Sequence, residues 1–346
     1  MNVFFFQKIG DSIGNDVATT VLSILNGHPI PPKLNHTLVT LIPKKPRPEY
    51  VSKFRPISLC NVVYKLVTKV LVSRLKPILP SIVSATQGAF TQGWLISNNI
   101  LITFEVLHAM RHDSSVAGSM AVKMDMSKAF DRVERPFLAR TMLKMGFRTE
   151  WLDLVMRCVK SALFSFLVNG SPSGYVLPSK GIRQGDPISP YLFLFCSEGL
   201  IGLLTKAVEC ASLRGYRLCA QTPIISHLLF INDIIIFCGA DNDQASVLKH
   251  ILVKYEQALG RLINFVKTDV SFSKGVSAER RNQITLLLDI QEVLSHYKYL
   301  GALTFVGRSR KEPFLFMVDR IKKRISNWMG KLALSLGREA LIKAVA

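Results

Sequence analysis

Apolar residues recur along this chain at two spacings, one helical and one extended. Val63, Leu66, Val67, Val70 and Leu71 fall at helical intervals and predict a helix over 61–75, whose other face carries Lys65, Lys69 and Arg74. A longer stripe, from Phe314 through Met317, Ile321, Ile325 and Trp328 to Leu332, predicts a helix over 313–332, with Arg320, Lys323, Arg324 and Lys331 opposite. Shorter helical patterns cover 17–25, which Asn26-Gly27 ends, and 245–260; the segment from Ser127 onward also reads as helical. Pro190 falls in the first turn of a mostly apolar helix expected over 189–209. Strand patterns occupy 36–42, bounded by Pro43, and 121–124, ending at Asp125. Two hairpins are expected: 164–168 and 175–177 flank Asn169-Gly170-Ser171-Pro172, and 224–230 and 234–237 flank Ile231-Asn232-Asp233. Antiparallel hairpins among helices, without a βαβ alternation, predict an α+β fold: a sheet covered by helices, with helical appendages.

Charge narrows the choice of partner. A length of 346 residues suggests two or three domains or one multilobed body, and 49% hydrophobic residues exclude wholesale disorder. Lys and Arg total 44 against 24 acids, a formal charge of +20 that calls for a polyanion. The excess sits in two arms: residues 44–76 hold nine Lys/Arg and one acid, and residues 308–343 hold ten and three. The apolar runs 191–204 and 224–238 are interrupted by Glu198 and by His227 and Asp233, and are expected to fall short of a membrane span. Nucleic acid is therefore the expected partner, and no membrane. The first residues have a short apolar patch without a basic n-region and do not read as a signal peptide. Cys60, Cys158, Cys196, Cys210, Cys219 and Cys238 show no C-x-x-C spacing, which fits free thiols in a reducing compartment and no structural zinc.

Two aspartates carry the candidate chemistry. Asp125 stands where an apolar strand stops, in VKMDMSKAFDRV (122–133), and Asp233 at the tip of the hairpin HLLFINDIIIF (227–237). Taken singly, the first reads more simply as a helix N-terminal residue and the second as ordinary turn chemistry. As a pair, 233 − 125 = 108 residues apart, they can meet on adjacent strands of one sheet. Two-metal phosphoryl transfer needs such a cluster, because paired Mg²⁺ ions activate an attacking 3′-oxygen and stabilise the leaving oxygen. Mg²⁺ takes one or two carboxylates plus substrate phosphates. A third signal is GIRQGDPISP (181–190), a rigid turn before a helix; its density of polar residues, Gly and Pro favours a ligand-contacting loop over a purely structural one.

LIPKK (41–45), FRPISL (54–59), QGAF (87–90), the Asp125 segment, GIRQGDPISP, the Asp233 segment and KYLG (298–301) follow one another in that order. Together they resemble the motifs of reverse transcriptases of LINE-type (non-LTR) retrotransposons, over a stretch from near residue 15 to the last. The resemblance implies a right-hand polymerase fold: fingers, a palm with an antiparallel sheet, and a partial helical thumb. It suggests a helical lead over 1–36, fingers over 37–112, and a palm over 113–295 with a fingers-side insertion around 164–190. A palm–thumb junction and partial thumb follow over 296–346. It implies an RNA-directed DNA polymerase that joins deoxynucleoside triphosphates to a DNA primer on an RNA template, with two Mg²⁺ ions, or Mn²⁺, at Asp125 and Asp233. Arg55 matches a residue that grips the triphosphate, and Phe130 an aromatic gate against the 2′-OH. Arg183 and Gln184 match the loop lining the nucleotide site and template, and Lys267 a lysine near the leaving pyrophosphate. Lys44 matches a second finger residue at the triphosphate, and Lys44, Lys45 and the basic helix face of Arg320, Lys323, Arg324 and Lys331 are the candidate nucleic-acid contacts. A solvated surface is the competing reading for the lysines, and a core aromatic for Phe130. The family implies an intracellular setting, nucleus or cytoplasm, and leaves the oligomeric state open.

Three departures bear on activity. The family pattern aromatic-Ala-Asp-Asp is here Phe230-Ile231-Asn232-Asp233, so Asn232 replaces a metal-binding Asp and Ile231 a small residue. An Asn carbonyl can ligate a metal, but its charge is gone. A unit charge pair at about 4 Å is worth roughly 4 kcal/mol at an effective dielectric near 20. A rate loss of about a thousandfold or more is expected to follow. The run Gly-Arg-x-Ile-x-Asp appears as Gly93-Trp94-Leu95-Ile96-Ser97-Asn98, losing a base and an acid. Nothing resembles the endonuclease, RNase H-like or zinc-knuckle regions of such elements, which implies a fragment of a decayed copy or a partial gene model. Two rival readings stand beside the polymerase: a non-catalytic nucleic-acid-binding remnant of the same fold, favoured by Asn232, and a basic α+β RNA-binding scaffold outside the family, without a nucleotide pocket.

Overall fold

The strand that ends at Asp125 becomes the middle of the principal sheet. A computed structural model describes residues 8–90, 95–126, 128–260, 263–294, 296, 298–304, 318 and 322. The chain divides into two compact units, Met1–His296 and Tyr297–Ala346. The first opens with α1 (Gly10–Leu25), β1 (His36–Pro43), β2 (Phe54–Leu59), α2 (Val62–Leu75), α3 (Leu79–Ile82) and α4 (Ile96–His112). It continues with β3 (Ser119–Asp125), α5 (Arg135–Lys144), α6 (Thr149–Lys160), β4 (Leu163–Val168), β5 (Ser171–Val176) and α7 (Ser189–Glu209). It closes with β6 (His227–Phe230), β7 (Asp233–Gly239), α8 (Asn242–Leu259), β8 (Asp269–Phe272), α9 (Ala278–Leu288) and β9 (Gln291–Glu292).

The principal sheet has the order β6-β7-β3-β8-β9 and is antiparallel except where β8 meets β9. Met120, Ala121, Val122 and Met124 of β3 are all buried, as a central strand covered on both faces requires. A second sheet has the order β2-β1-β4-β5. It is antiparallel within its hairpins and parallel where β1 meets β4, so the 163–176 hairpin joins β1 and β2 rather than the sheet of Asp125. In the second unit, β10 (Lys298–Tyr299) and β11 (Ala302–Leu303) form a short antiparallel hairpin around Leu300-Gly301, both at positive φ.

The core gathers around α7. Leu192, Phe193, Leu194, Phe195 and Cys196 are each 0% exposed, so protein surrounds the helix on every side there. α5 and α8 pack against it, and Tyr255 of α8 donates its hydroxyl to the Cys196 carbonyl at 3.3 Å. With 21 residues, α7 is long and apolar enough to cross a membrane, which corrects the expectation that Glu198 would cut the run short. The carboxylate does not break the helix because it has partners: it accepts from the Ser84 N–H at 3.1 Å and the Ser84 hydroxyl at 2.6 Å. Caps set other boundaries. Asn61 accepts from the Val63 N–H ahead of α2, and Asp241 from the Gln244 N–H ahead of α8, which Gly260 ends in the left-handed region.

Two further expectations shift. Residues 128–132 form a turn and not a helix: Lys128 has φ 52°, and the next helix starts at Arg135. The carbonyls a helix would use there go elsewhere, Phe130 accepting from the Ile182 N–H and Val133 from the Gly181 N–H, each at 2.8 Å. Both hairpin turns are two residues long, Asn169-Gly170 and Ile231-Asn232. Asp233 is thus the first residue of its strand and not the hairpin tip. Cys60, Cys158, Cys196 and Cys238 are buried free thiols, while Cys210 and Cys219 are exposed. The helix expected over 313–332 lies outside the described residues apart from Val318 and Lys322.

Candidate functional site

β3 and β7 run in unbroken antiparallel register from Ser119↔Gly239 to Asp125↔Asp233. Residues directly opposite on such strands have Cα atoms roughly 4.5–5.5 Å apart and side chains on one face. The last residue of β3 and the first of β7 thereby bring two carboxylates together at one end of the sheet. Burial holds the Asp233 carboxyl above the ordinary range and the charge of Asp125 pushes the same way, while Lys123 opposes both. Asp125 faces a cation and an amide: Lys267 Nζ lies 3.6 Å from Oδ2, and Asn264 Nδ2 donates to the same oxygen at 3.5 Å.

Asn232 occupies the turn that delivers Asp233. Its neighbour Ile231 has φ 57°, an uncommon conformation for a β-branched residue. Gln87, 0% exposed, holds the turn: its Oε1 accepts from the Ile231 N–H and from the Ala89 N–H, each at 3.3 Å. The backbone beside it pairs with β6, Leu229 N–H donating to Thr86 and Gly88 N–H donating to Leu229, both at 2.9 Å. Asn99 of α4 donates its amide to the Leu229 carbonyl at 2.9 Å. Gln87, Asn99 and Asn264 are the site residues that sequence reasoning missed. QGAF had been singled out as a motif without a role for its Gln, and the two asparagines carry no periodic signal.

GIRQGD lies between the 128–132 turn and β2. A Cβ on Gly181 would meet the Asp131 carbonyl at 2.6 Å, and one on Gly185 the Ser58 carbonyl at 3.0 Å; both glycines have positive φ. Phe130 is half-buried and stacks on Phe193, ring centroids 5.2 Å apart and planes at 19°. Gln184 accepts at its backbone carbonyl from the Ser58 N–H at 3.3 Å, and with Pro56, Ser58, Asp131 and Lys180 it lines a cleft of about 250 Å³.

Arg183 borders the same cleft from a buried position. It is 7% exposed, and its guanidinium donates inward to Thr37 Oγ1 at 2.7 Å, Asn35 Oδ1 at 2.5 Å and Cys60 Sγ at 3.5 Å. It also lies over the Tyr64 ring, 4.7 Å from the centroid.

Arg55, Lys44 and Lys45 are exposed at the loop end of the β1–β2 hairpin, where Ile42 pairs with Arg55. Lys44 donates to the Ser52 carbonyl at 3.0 Å. Burial raises the Asp131 carboxyl, and Lys128, Lys44 and Arg132 oppose that rise, so this basic loop flanks the 128–132 turn. Arg320, Lys323, Arg324, Lys331 and the Gly93-Trp94 departure lie outside the described residues.

The donor set at the sheet end suits a divalent cation. Two like charges in register are relieved by a cation between them, and two carboxylates are what Mg²⁺ takes from protein when phosphates complete its shell. Among the described residues, no group of three or more His, Cys, Asp or Glu side chains forms a further metal-binding cluster.

These features are those of a nucleotide polymerase, and the comparisons name the class. The family model for reverse transcriptase (RNA-dependent DNA polymerase) matches residues 42–303, and the chain belongs to that family. Its fold is accordingly the α+β right-hand polymerase fold, and members of the family work with divalent metals and bind RNA templates. The chain is similar to the Pol polyprotein of the type-1 retrotransposable element R2 of Popillia japonica, 24% identical over 288 residues, covering 81% of this chain and 39% of the relative. It is similar to that of the type-2 element R2DM of Drosophila melanogaster, 23% identical over 296 residues, covering 82% and 26%. A 149 kDa protein of transposon TX1 from Xenopus laevis is 28% identical over 207 residues, covering 60% of this chain and 16% of the relative. The chain therefore spans well under half the length of these curated relatives. Among solved structures, apo telomerase from Candida tropicalis aligns at a TM-score of 0.49 and 15% identity, covering 76% of this chain and 56% of that one.

Proposed function

We propose that this chain is the polymerase part of a retrotransposon protein, an RNA-directed DNA polymerase that adds deoxynucleoside triphosphates to a DNA primer on an RNA template. The observation that carries the reading is the register Asp125↔Asp233 at one end of the sheet. Asp125 and Asp233 would hold two Mg²⁺ ions, or Mn²⁺, which would supply Lewis-acid activation of the primer 3′-oxygen and charge compensation at the leaving group. The remaining work falls to the chain's own residues. Arg55, Lys44 and Lys45 bring positive charge to the triphosphate and template backbone. Gln184 borders the nucleotide cleft, and Phe130 is the candidate for sugar selection. Lys267 offers a proton donor near the leaving pyrophosphate and, with no nucleotide bound, offsets the charge of Asp125. Fingers over 37–112, palm over 113–295 and thumb beyond 296 are the division this function implies.

Asn232 leaves the carboxylate pair without a third charge, and phosphoryl transfer depends on charge compensation more than on covalent help from the protein. Extension by the chain as it stands is therefore expected to be slow. Single-nucleotide extension on an RNA–DNA primer–template, with Asp125→Ala as the zero, tests this. Asn232→Asp should raise the rate by about a thousandfold. Equal rates would remove Asn232 as the cause. An Asn232→Asp protein no faster than Asp125→Ala would overturn the polymerase reading in favour of a non-catalytic nucleic-acid-binding remnant, the reading that Asn232 itself favours.

A further inference from the structure

The loop that carries Gln184 is anchored by two buried charges at the base of the cleft. Arg183 and Asp186 are 7% and 5% exposed, on either side of Gln184-Gly185. Tyr64 of α2, 1% exposed, donates its hydroxyl to Asp186 Oδ2 at 2.8 Å, with the Cys158 carbonyl 3.2 Å away. Asp186 Oδ1 accepts from the Ile188 N–H at 3.3 Å. Arg183 reaches Asn35 and Thr37, and Asn35 in turn donates to the Cys158 carbonyl at 3.1 Å and Ser161 Oγ at 2.7 Å. One buried network thus ties the start of β1, the start of α2, the end of α6 and the loop together.

Buried charges persist only when paired and hydrogen-bonded, and breaking one partner costs far more than an exposed pair is worth. Gln184 sits between two residues held in this way. Its carbonyl meets the Ser58 N–H, and Gly185 lies against the Ser58 carbonyl, so the loop has one seat against β2. Arg cannot be exchanged for Lys here, because a point charge does not reach Thr37, Asn35 and Cys60 at once.

We propose that Arg183, Asp186 and Tyr64 form a buried lock that positions Gln184 at the nucleotide cleft, acting as positioning residues without touching the nucleotide. What Gln184 meets rests on the polymerase reading; the lock rests on the hydrogen bonds alone. The test uses Tyr64→Phe, which keeps the ring and removes the donor. Thiol labelling followed residue by residue reads the lock in the otherwise unmodified protein. Cys210 and Cys219 are exposed and react first, Cys60 and Cys158 lie in the network, and Cys196 and Cys238 are buried elsewhere. Tyr64→Phe should speed labelling of Cys60 and Cys158 by about tenfold, the loss of one hydrogen bond to a charged acceptor, with Cys196 and Cys238 unchanged. In the Asn232→Asp background it should raise the KM for the incoming nucleotide about tenfold and leave kcat within about twofold, the signature of lost uniform binding. Labelling that rises at all four buried thiols together, or at none, overturns the lock. A KM that stays put while Cys60 opens overturns its role in positioning. If Asn232→Asp extends no primer, the polymerase reading falls and the thiol pattern still decides the lock.

Discussion

Mild acid should loosen β6, the strand that leads into the turn before Asp233. His227 opens β6 and is 2% exposed. Its Nδ1 lies 2.9 Å from Ser226 Oγ and its Nε2 3.1 Å from Thr86 Oγ1, so a neutral ring can donate to one hydroxyl and accept from the other. Burial lowers its pKa to about 4, from an ordinary value near 6.5. Between those values the unfolded chain binds a proton that the folded chain refuses. The stabilisation is complete above about pH 6.5 and is lost as the pH falls toward 4. At pH 5 the loss relative to pH 7 is about 2 kcal/mol. Asp186 and Glu198 act in the opposite sense, since burial raises both carboxyls and so favours the folded state as the pH falls. The raw pH curve therefore mixes the two, and the difference between the unmodified protein and His227→Gln isolates the histidine. Urea unfolding at pH 7 and pH 5 should show a pH response smaller by about 2 kcal/mol in the variant. Amide exchange at Leu228 and Leu229 should quicken at pH 5 only where His227 is present. An identical pH response in both proteins would refute the reasoning.

Two other perturbations follow from the same part of the molecule. Gln87→Leu leaves the Ile231 and Ala89 N–H groups without their acceptor and should cost about 2 kcal/mol in urea unfolding, with faster exchange at the Ile231 amide; a loss under about 0.5 kcal/mol would show that the turn does not depend on it. Gly181→Ala drives a Cβ to 2.6 Å from the Asp131 carbonyl and should destabilise by more than about 2 kcal/mol, whereas Gly146→Ala, also at positive φ but in open space, should cost only about 1 kcal/mol by the same measurement.

What could be read from the sequence followed how local each signal was. The β6–β7 hairpin and the strand ending at Asp125 were legible because short apolar runs and a short turn are local features. Once β3 and β7 were set antiparallel, the register brought Asp125 opposite Asp233. The β1–β4 pairing was not legible: it joins His36 to Leu163, and nothing near either residue announces a parallel partner. The 128–132 segment looked helical by its apolar spacing, and tertiary bonds from Gly181 and Ile182 to the Val133 and Phe130 carbonyls override that preference. Arg183 was placed at the nucleotide site by the resemblance of GIRQGDPISP to the family's loop. Its true environment depends on Asn35, Thr37 and Tyr64, each more than 100 residues away in the chain. Gln87 and Asn99 were overlooked for a related reason, since a buried amide that serves a distant backbone leaves no pattern around itself.

On the proposed function, Asn232 would let an intact fold and a weakened reaction coexist in one chain. Asparagine and aspartate are close to isosteric, and both suit turns. Nothing that shapes this hairpin depends on a charge at 232: the turn is closed by Phe230 pairing with Asp233 and held by the Gln87 carbonyl at Ile231. The buried helix α7, the two sheets and the Arg183–Asp186–Tyr64 network are likewise indifferent to it. The folded protein in fact gains nothing from added negative charge at this end of the sheet, where burial and Asp125 already raise the Asp233 carboxyl. A third carboxylate would deepen that repulsion until a cation arrived to reverse it. On the proposed function, folding and catalysis therefore make opposite demands at the same turn, and the residue present satisfies the first while withholding the charge the second would require.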